Sequence, residues 1–104
     1  MKINNKKSGY STTTANNYIN QGKPIYCLST ELEKRFKFED KRPTKEISAY
    51  ICWFSQEGLP PISVKFNKEI SLPPYLSVIE FENLQACEVH YNVYFKADSV
   101  KQVK

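Results

Sequence analysis

Glycine is scarce in this sequence: Gly9, Gly22 and Gly58 are the only three among 104 residues. None stands in the glycine-rich spacing that cradles a phosphate or in the turn that presents a nucleophilic serine, so neither chemistry is indicated. Histidine is scarcer still, with His90 alone. No acidic neighbour places it in a recognisable triad, and a lone strand histidine more often serves as a polar surface or core residue than as a catalyst. No paired carboxylates sit at an interpretable spacing, and the chain reads as a non-enzyme. The three cysteines, Cys27, Cys52 and Cys87, are widely spaced and have only His90 as a nitrogen partner. Neither a disulfide framework nor a zinc site follows from that, so no cofactor is expected and the thiols read as reduced and mostly buried. No apolar run approaches the roughly 20 residues that span a bilayer. The polar start MKINNKKSGYSTTTANN also lacks the apolar segment of a secretory signal, so the expected setting is the cytoplasm with no membrane partner.

Aromatic residues, by contrast, are abundant. Seven Tyr, six Phe and Trp53 make up 13% of the chain, which argues for folding rather than disorder. The length suits one compact domain with a single core. Basic charge is concentrated early: residues 1–45 hold ten Lys or Arg against four acids, while residues 46–104 hold five against seven. The densest cluster is Lys34, Arg35, Lys37, Lys41, Arg42 and Lys45. On a shared surface these would favour a polyanion; scattered along a loop they would only keep it solvated.

Along the chain, residues 1–22 are rich in Asn, Thr, Ser and Lys with little periodicity and read as a flexible N-terminal arm. The folded domain is expected over residues 23–104. KPIYCL is a short β-prone run; in STELEKRF, Thr30 and Glu33 make a capping-box pattern that predicts a short helix. From Glu46 onward the pattern is strands. Residues 46–55 and 61–68 form a hairpin around Gly58 and the Pro60–Pro61 pair, and SVIEFENLQA and EVHYNVYFKADSV supply two more strands. The expected fold is therefore mainly β, a small OB-like five-stranded barrel with one short helix.

The first hairpin strand is apolar on both faces. Ile47, Ala49, Ile51 and Trp53 alternate with Ser48, Tyr50, Cys52 and Phe54. On the partner strand Ile62, Val64 and Phe66 point inward and Ser63, Lys65 and Asn67 outward. If Ser48 marks the polar face, Trp53 is inside, and Tyr50 and Phe54 lie outside near Lys65. With Tyr94 and Lys96 on the outward face of the last strand, the candidate surface is Tyr50, Phe54, Lys65, Tyr94 and Lys96, supplemented by Lys34, Arg35, Lys37, Lys41 and Arg42. Rings that stack on bases beside cations that neutralise phosphates are what single-stranded DNA needs. Two alternatives stay open. The same aromatics could form a protein–protein interaction surface, and a register shifted by one residue would bury them and expose Trp53.

The order of features also resembles a known family. Ile62-Ser63-Val64 on a strand after a loop, Tyr75 leading to a strand that ends near Asn83, and Tyr94, Lys96, Ala97 and Asp98 near the end are similar to the small YdcP-like proteins of conjugative elements. The resemblance covers roughly the C-terminal 60 residues; residues 1–22 match nothing in it. It implies an OB-like domain that binds single-stranded DNA and assists replication or transfer of a plasmid, phage or conjugative element, beside a relaxase or helicase of that element.

Overall fold

The computed structural model describes residues 9–103. Strands dominate: β1 (Ile25–Cys27), β2 (Glu33–Glu39), β3 (Arg42–Gln56), β4 (Ile62–Phe66), β5 (Val78–Glu82), β6 (Gln85–Val89), β7 (Asn92–Ala97) and β8 (Ser99–Gln102). The one helix among the described residues, α1 (Thr12–Asn16), is short. The mainly β class is as expected. Among the described residues the strands number eight rather than five, partly because runs that read as single strands are broken by left-handed residues. Asn83 (φ 57°) separates β5 from β6, and His90 (φ 57°) opens a two-residue turn that folds β6 and β7 into a hairpin. Asn and His are among the side chains that tolerate this conformation best.

The strands form one sheet in the order β6-β7-β4-β3-β1-β5-β8, with β2 paired to β3 off this path. Its ends, β6 and β8, are not paired with each other, so the sheet is open along its hydrogen-bond ladder. The β3–β4 hairpin forms where the alternation placed it, with Gly58 at φ 93° in its turn. Neighbouring β4 and β7 run parallel, Val64 beside Phe95 and Lys65 beside Lys96.

Two local expectations are overturned. STELEKRF is not helical; its second half begins β2, pairing with β3 from Glu33↔Ile51 onward. A single helical turn is marginal by itself. The alternating Phe36 and Phe38 fit a strand, and the Glu33 carboxylate accepts from the Trp53 indole instead of capping a helix. Nor are residues 11–22 a free arm. Ser11 caps α1 by accepting from the Thr14 N–H at 3.0 Å, and its backbone exchanges two hydrogen bonds with Ala86. Ala15 and Ile19 are buried in the core, and the buried Gln56 side chain bonds the backbone of Asn20 and Lys23. The expectation for residues 1–8 lies outside the described residues.

The core gathers Cys27, Cys52, Phe54, Val64, Phe66, Ile79, Ala86, Phe95, Ala97 and Val100 around Ala15 and Ile19. Phe54 and Phe81 meet edge to face at 4.8 Å between ring centroids. Among the described residues no helix is long and apolar enough to cross a membrane. Cys27, Cys52 and Cys87 are free thiols. Burial first, and then the neighbouring Cys27, push the Cys52 thiol up to about 12, and burial also raises Cys27. Because the thiolate is the reactive form, only half-buried Cys87 should react promptly with a water-soluble disulfide reagent at pH 8. The expected stoichiometry is one fast thiol in the native protein and three after urea unfolding; three fast thiols in the native protein would contradict this core.

Candidate nucleic-acid interface

The register of β3 against β4 decides which aromatics are available. Phe54 pairs with Ile62, Cys52 with Val64 and Tyr50 with Phe66, while Trp53 pairs with Ser63 and Ile51 with Lys65. Directly opposed residues share a face. The apolar face of β4 therefore takes Phe54, Cys52 and Tyr50 with it into the core. Phe54 is 0% exposed, and Tyr50 is half-buried against the core cluster. Trp53 is 39% exposed. The outward placement of Tyr50 and Phe54, and the inward placement of Trp53, are thus inverted. Ser48 misled the assignment: it is the extra residue at an irregularity between Arg35↔Ala49 and Phe36↔Ile47, where its hydroxyl donates to the Arg35 carbonyl. Its polarity serves that irregularity rather than marking a solvent face.

The second face of the sheet carries Trp53, Ser63, Lys65, Lys96, Tyr94, Cys87 and Gln85, as the pairings Trp53↔Ser63, Lys65↔Lys96, Cys87↔Tyr94 and Gln85↔Lys96 require. Three of the expected residues, Lys65, Tyr94 and Lys96, are therefore brought together. Tyr94 is 49% exposed. The two lysines are half-buried neighbours, and neither has a carboxylate partner among the described residues. Tyr10 shares them: its ring centroid lies 4.7 Å from the Lys96 ammonium and 5.6 Å from that of Lys65. Burial, with Cys87 and Tyr94 adding, raises the Tyr10 phenol above its ordinary pKa. At the other end of the face the Trp53 indole N–H donates to Glu33 at 3.0 Å, fixing the ring. Beside Trp53 opens a cleft of about 380 Å³, walled by Pro60, Pro61, Ile62, Val93 and Phe95. A larger cleft of about 530 Å³, between α1 and β5, holds none of the candidate residues.

Tyr10 was not among the sequence candidates, because only the Ser11–Ala86 bridge brings it to this face. Trp53 was legible only as the shifted-register alternative. The basic residues Lys34, Arg35, Lys37, Lys41 and Arg42 are all exposed, on the ribbon made by β2 and the start of β3. Of these, Arg35 pairs with Ala49 at the root of the ribbon, on the same face as Trp53, while Lys37, Lys41 and Arg42 lie further out. Among the described residues no group of His, Cys, Asp and Glu is placed to hold a metal ion. Comparison with protein-family models, with curated proteins and with solved structures finds no match.

Proposed function

We propose that the protein binds single-stranded DNA across the sheet face that carries Trp53, Lys65, Tyr94, Lys96 and Tyr10. The observation behind this reading is the side-by-side pair Lys65 and Lys96, uncompensated by carboxylate and flanked by exposed rings. Holding two ammonium groups together at a half-buried site costs electrostatic energy unless an anion arrives. Phosphates supply that charge, and bases stack on aromatic faces irrespective of sequence. Tyr10 contributes a ring that already lies against both cations, so a base or sugar meeting it is held next to the phosphate contacts.

The OB-like description belongs to this proposal, with the β2–β3 ribbon as an extension of the open sheet. A role as a non-enzymatic accessory in a plasmid, phage or conjugative element, beside a relaxase or helicase, is supported by the resemblance of the C-terminal 60 residues alone. The test is fluorescence anisotropy with labelled single-stranded and double-stranded oligonucleotides at two salt concentrations. Single strands are expected to bind more tightly, to shield Trp53 from acrylamide, and to weaken with a log–log salt slope of about 0.7 per phosphate contact. Equal or absent binding of the two forms would overturn the proposal. Salt-insensitive capture of a protein would favour an interaction module using the same surface.

A further inference from the structure

The outer part of the β2–β3 ribbon adds nothing to the core. From Glu33 to Ser48 every residue is exposed except half-buried Thr44, and among the described residues β2 pairs with no strand but β3. Strand alternation puts Phe36 and Phe38 on one face, where their cross-strand partners are Ile47 and Pro43. Phe36 is 42% and Phe38 69% exposed. Residues 34–45 hold six cations against two acids. Lys37 is paired to Glu46 at 3.3 Å, whereas Lys34, Arg35, Lys41, Arg42 and Lys45 have no ion pair among the described residues.

The ribbon is nevertheless shaped in advance. Asp40 (φ 53°) and Lys41 (φ 64°) are both left-handed, the geometry of a two-residue hairpin turn whose twist matches its strands. At the pairing irregularities, Thr44 Oγ1 donates to the Lys37 carbonyl at 2.9 Å and Ser48 Oγ to that of Arg35 at 3.2 Å.

We infer that this ribbon is an arm for duplex DNA: it enters the major groove of the double strand adjoining the single strand held on the sheet face, making a single-strand/duplex junction the preferred ligand. The inference rests on the single-strand reading of that face, which Arg35 at the root of the ribbon continues. The shape agrees. A two-stranded ribbon is admitted by a groove about 12 Å wide, and the seven residues of β2 reach about 23 Å along it. The Phe36–Phe38 stripe meets base edges and thymine methyl groups on the groove floor, and Lys41, Arg42 and Lys45 reach the phosphate walls. A single strand would use the ribbon poorly. Arg35 and Lys37 project from the face opposite Phe36 and Phe38, so a strand that stacked on the rings would lose those cations, whereas a groove encloses both faces.

The test compares a labelled single strand, a blunt duplex and a duplex with a single-stranded overhang, each with wild type, with Phe36→Ser/Phe38→Ser and with Arg42→Gln/Lys45→Gln. Because these side chains are exposed, melting temperature should change little; the charge variant serves if the aromatic one unfolds. Wild type should bind the overhang substrate about tenfold or more tightly than the single strand, since two linked contacts act together. Both variants should abolish that gain and leave single-strand affinity within about twofold. No gain in wild type overturns the inference, as does an equal loss on single strand and junction, which assigns the ribbon to the single-strand site. A variant that changes only the sedimentation mass also overturns it, by making the stripe a contact between copies. If wild type binds the duplex but not the single strand, and the variants lose the duplex, the arm stands and the sheet-face reading falls.

Discussion

Phe54→Ala is expected to destabilise the fold by about 3–5 kcal/mol, read as a fall in the urea midpoint at unchanged slope. The side chain is 0% exposed and sits between Cys27 on β1 and Ile62 on β4, edge to face with Phe81. Its removal loses apolar burial and leaves a cavity that three strands and Phe81 cannot readily close. Domains of this size are held by only about 5–15 kcal/mol, so the variant should be partly unfolded at moderate temperature. Trp53→Ala, by contrast, loses a half-exposed ring and its hydrogen bond to Glu33, and its cost in stability should be clearly smaller. Near-equal losses, or a larger one for Trp53, would mean that the register of β3 on β4 is the opposite of the one described.

On binding the order reverses. Trp53→Ala and Tyr94→Ala should each weaken single-strand affinity by about 1–3 kcal/mol, or about 5- to 150-fold, while Trp53→Phe keeps most of it because a ring remains to stack. Lys65→Ala and Lys96→Ala should each lower the salt slope by about 0.7 whatever the oligonucleotide sequence. The combination of Trp53→Ala with Lys96→Ala tests whether ring and cation meet one ligand, because changes in a shared site are not additive. Affinity for single strands that survives all four substitutions in a folded protein would place the binding surface elsewhere.

Much of the architecture was legible from alternation. Ile62, Val64 and Phe66 against Ser63 and Lys65 fix both faces of β4, and Gly58 with the proline pair marks its turn. Lys65 and Lys96 are outward on any consistent reading, which is why two cations of the candidate site were found before the fold. Strand β3 is different: residues 49–54 are apolar on both faces, so a period-two pattern carries no preference, and a shift by one residue exchanges Trp53 for Phe54. Pairing resolved it, since Phe54 lies directly across from Ile62 and must share its side of the sheet. The same limit applies where local propensity is weak. Thr30 and Glu33 spell a helix start, yet one turn of helix gains less than a ladder of six residue pairs on β3. Residues 11–19 look like a polar arm until Ala86 and the core give Ser11, Ala15 and Ile19 partners far along the chain. The sequence by itself determined the mainly β class, the central hairpin and the outward lysines, because these follow from contacts between near neighbours. Only the tertiary structure decided which aromatics face solvent and brought Tyr10 onto Lys65 and Lys96, because those depend on pairings between segments whose local patterns are silent about each other.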